Sequence, residues 1–336
     1  MYLEIFFLLF ITYFFYQILN KFAKKLNLID LPNARSSHDS PTIRGFGIVI
    51  FISIGLTLLI FQTSLLIDKA YLLSSILLIG MLGMVDDIKT TPPIIKIATL
   101  ILVYIFLYSE GILITDLGVF LGTNIQLSLV VGITFSAIVI AAFTNAFNLI
   151  DGLDGLSGLI SIIIFTTFLS IGIINNDQLL TTIPVLFITS LSVFIFYNWN
   201  PAKVFLGDSG SLMIGFVISI LAVRSLYYIE PISILYITAV PILDAIFVTF
   251  RRVLEGGSPF KADKFHCHHI LLSYFDKNVK KTVIVISFFQ LVLSVVGIVF
   301  VANLTDSFIA LLLFLLGCYI IFKVLNKMKV TQTLNT

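Results

Sequence analysis

The chain has 336 residues, 59% of them hydrophobic and only 11% charged, with a formal net charge of +2. A soluble domain carries roughly 25% charged residues, so this chain cannot clothe a water-facing surface, and a mean hydropathy of +1.10 places it in a membrane. Its two cysteines, Cys267 in a polar loop and Cys318 in an apolar run, do not suggest a disulfide framework.

Apolar runs of about the length that crosses a bilayer lie near 3–19, 46–66, 70–85, 92–108, 126–144, 156–174, 181–197, 210–228, 231–249, 282–302 and 306–325. The first follows "MYLE" with no basic region and no small-residue cleavage site, so it reads as a retained helix and not a signal peptide. The expected fold is an all-α polytopic integral membrane protein, one bundle of about eleven transmembrane helices filling residues 1–336. Eleven spans put the termini on opposite sides and sort the connections into two sets. One set, residues 20–45, 86–91, 145–155, 198–209, 250–281 and the C-terminal tail, collects eighteen of the twenty lysines and arginines. Only Lys69 and Arg224 fall in the other. The positive-inside rule makes the richer set cytoplasmic, with the N-terminus outside and the C-terminus inside.

The polar clusters lie in that same set. "GMVDDIKT" places Asp86 and Asp87 side by side at a helix end, where adjacent carboxylates need a cation, a proton or a basic neighbour. Lys89 is the nearest basic candidate if this is simply a solvated helix end. In "NAFNLIDGLDGLSG", Asn145, Asn148, Asp151 and Asp154 recur every three residues, the spacing that lines groups up on one face of a helical turn. The glycine after each aspartate lets a ligand approach the backbone. Amides and carboxylates so arranged can bind a base and sugar or hold a hydrated cation; a capped interhelical turn would need one such residue and not four.

"NWNPAKVFLGDSGS" sets Asp208 just before an apolar helix, as an N-cap and as a carboxylate able to hold Mg²⁺ beside substrate phosphates. Phe205 in the same stretch can stack on a flat base or pack in the core. "RRVLEGGSPFKADKFHCHHILL" carries Arg251, Arg252, Lys261, Lys264, His266, His268 and His269. Adjacent residues do not readily converge on one tetrahedral zinc, and no second cluster supplies further ligands; contact with phosphate suits this basic loop better. Arg35, His38 and Arg44 in "DLPNARSSHDSPTIRGFG" are either topogenic charge or a grip on an anionic lipid head group. Asp244, inside the ninth run, is a costly intramembrane carboxylate whose partner the sequence does not reveal. Carboxylates, glycine loops and basic groups together suit phosphoryl transfer, in which a protein mainly positions groups and neutralises charge.

"VDD", "NxxNxxDGxDGL", "FLGDSGS" and "HxHH" occur in this order, and with them the chain resembles the polyprenyl-phosphate N-acetylhexosamine-1-phosphate transferases of glycosyltransferase family 4. It is closer to the WecA-like branch than to MraY, whose consecutive histidine triplet is absent. The resemblance runs from Asp30 to about Leu272. It implies a bacterial inner-membrane enzyme that moves a sugar 1-phosphate from a UDP-N-acetylhexosamine to undecaprenyl phosphate, releasing UMP and initiating a cell-surface polysaccharide such as O-antigen. It also implies that Asp208 binds Mg²⁺, for which Mn²⁺ can substitute, and that Asp86 and Asp87 deprotonate or position the lipid phosphate. Asn145, Asn148, Asp151 and Asp154 would line the nucleotide-sugar pocket, Asn198 and Phe205 would lie near the uracil, and His266, His268 and His269 would recognise the sugar phosphate. Arg35, His38 and Arg44 join the substrate-binding set as the grip on an anionic lipid head group. Phe46 departs from the family's common Gly-Gly pair, which puts the role of that segment in question.

The partners expected are therefore undecaprenyl phosphate, a UDP-N-acetylhexosamine and the lipid bilayer, with no nucleic acid, and a homodimer is compatible with the sequence. The competing class is a lipid-linked sugar flippase or another polytopic transporter. That class places polar residues on broken helices near the bilayer midplane, whereas here they sit at helix ends, Asp244 being the main exception.

Overall fold

The computed structural model describes residues 2–32, 40–89, 91–256, 266–304 and 306–334. They divide into two compact units, Met1–Thr115 with Leu127–Tyr228, and Asp116–Gln126 with Ile229–Thr336.

The first unit contains α1 (Tyr2–Phe22), a two-residue antiparallel pair β1 (Ile29–Asp30) and β2 (Thr42–Ile43), α2 (Phe46–Phe61), the short α3 (Thr63–Asp68), α4 (Ala70–Ile88) and α5 (Pro93–Ser109). It continues after residue 126 with α6 (Leu129–Ile150), α7 (Leu156–Asn175), α8 (Gln178–Asn198) and α9 (Gly207–Ser225). The middle of this unit is α9, every residue of which from Ser209 to Val223 is buried, with α2, α4, α6, α7 and α8 packed around it. Small residues make that possible, since helices in lipid associate by close van der Waals approach. A Cβ on Gly47 would stand 2.0 Å from the backbone nitrogen of Gly210, and one on Gly83 would stand 2.4 Å from the Cα of Ser209. The hydroxyls of Ser211, Ser219 and Ser225 return to carbonyls four residues back in α9, so they add no unpaired donor to the packed face. Phe46, fully buried, has its ring centroid 5.8 Å from that of Tyr16 on α1 and 5.1 Å from that of Phe194 on α8. Its departure from the glycine pattern is a packing choice.

In the second unit a hairpin, β3 (Asp116–Phe120) and β4 (Thr123–Gln126), precedes α10 (Pro231–Ile237), α11 (Ala239–Leu254), the one-segment α12 (Cys267–Tyr274), α13 (Val279–Val299), a 3₁₀ turn at Val301–Asn303 and α14 (Phe308–Leu334). The run at 231–249 is a broken span: α10 and α11 meet at an angle of 83°. Pro241 explains the break. The carbonyl of Ile237 would normally accept from the amide of residue 241, and proline has none. Gln290 of α13, fully buried, replaces the lost bond by donating Nε2 to the Ile237 carbonyl at 2.8 Å, while its Oε1 accepts from the Val240 amide at 2.9 Å. Ser294 adds a second contact to the same carbonyl.

Among the described residues eight helices are long and apolar enough to cross a membrane, the α10–α11 pair makes a ninth, and α2 and α5 are shorter apolar helices. Each of the eleven apolar runs of the sequence thus has its helix, and the protein is a multi-pass membrane protein.

Candidate active site

The ends of α4, α5, α6 and α9 bring the first cluster together in the first unit. Asp86, the penultimate charged residue of α4, accepts from both the amide and the hydroxyl of Thr91 through Oδ1, at 2.6 and 2.5 Å. Its Oδ2 is ion-paired with Lys96 of α5. Lys96 also stands 3.9 Å from Oδ1 of Asp208, and the carboxylates of Asp86 and Asp208 lie within hydrogen-bonding reach of each other. Asn148 of α6 donates to Asp208 at 2.5 Å and to the Ser211 hydroxyl at 2.7 Å. Among these carboxylates Asp208 is the open one, its side chain 33% exposed against 4% for Asp86.

Asp87 has a different task. Its two oxygens accept the backbone amides of Asp208 and Ser209, at 2.8 and 3.1 Å. Those are donors that a helix start leaves without an intrahelical partner, so Asp87 of α4 caps α9 from a neighbouring helix. This corrects the expectation that Asp208 is an N-cap. The helix begins one residue earlier, at Gly207, and Asp208 lies in its first turn with its side chain free for other contacts. The alternative of a solvated helix end facing Lys89 is not what the structure shows: Asp86 and Asp87 are buried, and the basic partner of Asp86 is Lys96, one turn into α5.

The three-residue recurrence from Asn145 to Asp154 does not stay on one helical face. Helix α6 ends at Ile150, Asp151 is its C-cap, and Gly155 has φ +84°, a conformation open to glycine at little steric cost. The four side chains consequently go separate ways. Asn148 joins the Asp208 cluster. Asn145, half-buried one turn earlier, makes no hydrogen bond among the described residues. Asp151 accepts from the Ser157 hydroxyl at 2.5 Å; burial, with the nearby charges of Asp87 and Asp154, outweighs that bond and pushes its carboxyl up to about 6. Asp154 accepts from Asn200 Nδ2 at 2.8 Å and from the Ala202 amide at 3.0 Å. Asn198 braces the same two loops from the other side, accepting from the Gly155 amide at 2.7 Å and donating to the Val204 carbonyl at 2.8 Å. Asp154 and Asn198 thereby fix the backbone that leads into Asp208.

Phe205 is half-buried, and its amide bonds to the Ile43 carbonyl at 2.7 Å while its carbonyl takes the Phe46 amide at 3.1 Å. The stretch before α9 is in this way stitched to the start of α2. Arg44, between β2 and α2, is half-buried with its Nε lacking a hydrogen-bond partner among the described residues. Arg35, His38, Lys261 and Lys264 lie outside the described residues.

In the second unit the histidine segment opens α12. His266 Nδ1 lies 2.6 Å from Asp244 Oδ2, and the Cys267 amide donates to Asp244 Oδ1 at 2.6 Å. The partner that the sequence could not supply for Asp244 is therefore this segment. His268 is buried and its Nδ1 has no partner among the described residues. Burial, added to the neighbouring imidazoles and only partly offset by Asp244, pushes it down to about 3. That favours the neutral ring, and His269 is the half-buried member of the pair. Burial, then the Asp244 charge, drives the Cys267 thiol well above its ordinary value, which keeps it protonated. Arg251 of α11 is buried, with its guanidinium 5.9 Å from the centre of the Phe247 ring.

Sequence reasoning passed over Lys96 as a site residue and counted it only as charge. Its signal was there: a lysine in the first turn of an apolar helix, nine positions after an aspartate pair, is an ionisable group that a membrane segment keeps for a partner. Thr91 and Ser211 carried no comparable signal.

Residues 69–226 match the profile of glycosyl transferase family 4, a span that holds the whole first cluster. A relative from Bacillus subtilis, named as a probable undecaprenyl-phosphate N-acetylglucosaminyl 1-phosphate transferase, is 32% identical over 91% of this chain and 85% of its own length. An undecaprenyl-phosphate alpha-N-acetylglucosaminyl 1-phosphate transferase from Thermotoga maritima is 30% identical over 93% of both chains. Its namesake from Escherichia coli K12 is 27% identical over 79% of this chain and 74% of its own. With near-complete coverage at this identity, and the clustered motifs inside the matched span, the chain belongs to glycosyl transferase family 4.

Proposed function

We propose that this chain transfers N-acetylglucosamine 1-phosphate from UDP-N-acetylglucosamine to undecaprenyl phosphate, giving the lipid-diphosphate sugar and UMP. The observation that carries the reading is the cluster of Asp86, Lys96, Asn148 and Asp208, drawn from four helices within the span matched by the family. The sugar and the lipid come from the names of the relatives. In the reaction an oxygen of the lipid phosphate attacks the sugar-bearing phosphorus of the donor. The bond from that phosphorus to the bridging oxygen breaks, and UMP leaves with the electron pair. A phosphate monoester has a second pKa of roughly 6, so the attacking group is already largely a dianion at neutral pH and needs no dedicated base. That frees Asp87 for the capping role its contacts describe.

The residues fit a magnesium ion shared with the substrate. Mg²⁺ commonly takes one or two carboxylates plus substrate phosphates and keeps several waters, and Asp208 with Asp86 beside it supplies that number. Two carboxylates this close also call for more positive charge than Lys96 alone provides. Bound there, the ion would neutralise charge on the phosphates. Lys96 does the same from α5, Asn148 holds the Asp208 carboxylate in one orientation, and the amide of Asn145 is open to a polar substrate group. The charge distribution of the connections supports a reaction on the cytoplasmic side.

The test is UMP release by purified protein in detergent, with UDP-N-acetylglucosamine alongside other UDP-N-acetylhexosamines. Release is expected to require both undecaprenyl phosphate and Mg²⁺, to stop on chelation, and to favour the N-acetylglucosamine donor. Folded protein that is silent with every donor would overturn the reading and bring the transporter class forward.

A further inference from the structure

Asp244 sits on α11, in an apolar span, and is 2% exposed. A carboxylate in such a place is costly unless its oxygens are paired, and both are used on a single segment. Oδ1 takes the Cys267 amide at 2.6 Å. That amide opens α12 and is one of the donors that a helix start leaves orphaned, and the residue at the N-cap position, His266, provides no side-chain cap of its own. Oδ2 takes His266 Nδ1 at 2.6 Å. With Nδ1 turned to a carboxylate, Nε2 is the ring nitrogen left for another contact, the arrangement by which outer carboxylates set the tautomer and direction of working histidines. The neighbouring rings follow from this anchor. The His266 and His268 rings lie 5.5 Å apart at 24°, and those of His268 and His269 lie 4.2 Å apart. Buried, His268 acts as a spacer between the His266 and His269 rings, and His266 Nε2 is the nitrogen of the cluster turned away from Asp244.

We propose that Asp244 is a positioning residue for donor recognition: it clamps the histidine segment at two points, the His266 ring and the first amide of α12, and so holds His266 in the geometry that grips an anionic sugar-diphosphate. The inference rests on the reading of the chain as a UDP-N-acetylglucosamine-dependent transferase. Asp244 acts through the segment and does not itself touch the reacting atoms.

The experiment uses full-length protein with Cys318→Ser, so that Cys267 is the one thiol, and reads both steady-state kinetics and the rate of Cys267 alkylation. Asp244→Asn should raise KM for UDP-N-acetylglucosamine by about 10- to 100-fold, the scale of losing a hydrogen bond to a charged group, with KM for undecaprenyl phosphate unchanged. Alkylation of Cys267 should accelerate. His266→Ala should match it, and the double variant should be no worse than either single one, because both break one clamp. A fall in kcat at unchanged donor KM, losses that multiply in the double variant, or Cys267 protected as in the parent protein would each overturn the proposal. If Asp244→Asn gives no folded protein, His266→Gln loosens the clamp from the segment side and is read in the same way. Should the parent protein release no UMP, the transferase reading fails on its own. The alkylation comparison needs no turnover, and unchanged protection would then overturn the clamp independently.

Discussion

Asp86 and Asp87 are neighbours in sequence with unlike contacts: Asp86 meets Thr91 and Lys96, and Asp87 meets two backbone amides of α9. Their substitutions should therefore fail in different ways. Asparagine at 87 has one oxygen where the carboxylate has two, so one amide of α9 is left unsatisfied in a buried place, at about 1–3 kcal/mol. Asp87→Asn is expected to lower the midpoint of thermal unfolding measurably, with activity lost as a consequence. Asp208→Asn should leave that midpoint nearly unchanged and reduce UMP release on the order of 100-fold or more, the scale for removing a group that stabilises charge in the transition state. A destabilised Asp208→Asn with residual activity would sink its assignment to the metal. Asp151 supplies a pH signature. Its folded carboxyl is held near 6, above its ordinary value of roughly 3.9, so the folded state binds the proton more tightly than the unfolded one. The stability this contributes is complete at low pH and is lost as pH rises from about 4 to 6. Asp151→Asn removes the group, and unfolding midpoints of the two proteins should converge at about pH 4 and separate toward pH 7, with the variant the more stable. Parallel curves would show that Asp151 does not titrate in that window. What the sequence made legible at this scale was the residue set: "VDD" announced an acidic pair and "FLGDSGS" an acidic helix start. It could not divide the roles, because a capping contact between residues 121 positions apart leaves no local pattern.

Both units use one device, a buried carboxylate on a spanning helix that caps the start of another helix: Asp87 for α9 and Asp244 for α12. For α9 the close fit depends on glycine, since Gly47 and Gly83 meet its backbone where no side chain can fit. The eleven apolar runs gave the elements and their order, because hydropathy over a span reads burial in lipid directly. They could not give the break between α10 and α11. Residues 231–249 read as one apolar run interrupted by Ser233, Thr238 and Asp244, Pro241 is the one warning of a break, and a proline inside a membrane helix is often accommodated without a break of this size. What fixes the bend is Gln290, some fifty residues away, with one amide group serving both the Ile237 carbonyl and the Val240 amide. Gln290→Leu keeps the volume and removes both partners. Each orphaned backbone group in a dry interior costs about 1–3 kcal/mol, so the variant should unfold at lower temperature and lose donor affinity if the direction of α11 governs Asp244. Gln290→Glu retains an acceptor for Val240 and loses the donor to Ile237, and should fall between the two. A Gln290→Leu protein as stable as the parent would mean that the break is held by something else.

At the scale of the whole chain, the sequence read the membrane architecture well where it is a matter of apolar length and charge count, and less well in the connections. The β3–β4 hairpin lay hidden in what reads as a plain connection at 109–125, because strand alternation over four or five residues is faint beside twenty-residue apolar runs. Orientation rests on charge, and the two apparent exceptions to the charge rule have a structural reason. Lys69 is ion-paired with Glu110 at 3.1 Å. Arg224 is ion-paired with Asp177 at 2.7 Å, and Tyr228 donates to the same carboxylate at 2.8 Å. Asp177 also takes the Leu180 amide as the N-cap of α8, and that bond with its Tyr228 and Arg224 partners holds it below the usual carboxylate range in spite of burial. Neither basic residue is thus a lone positive charge. In a background with Cys267 and Cys318 replaced by serine, a cysteine at exposed Lys89 should resist a membrane-impermeant maleimide in intact cells and react in inverted vesicles. A cysteine at exposed Gln178 should do the reverse. The opposite pattern would turn the Asp86–Lys96–Asp208 cluster to the outside. A nucleotide-sugar supplied from the cytoplasm could not then reach it, and the transferase reading would fail with the orientation.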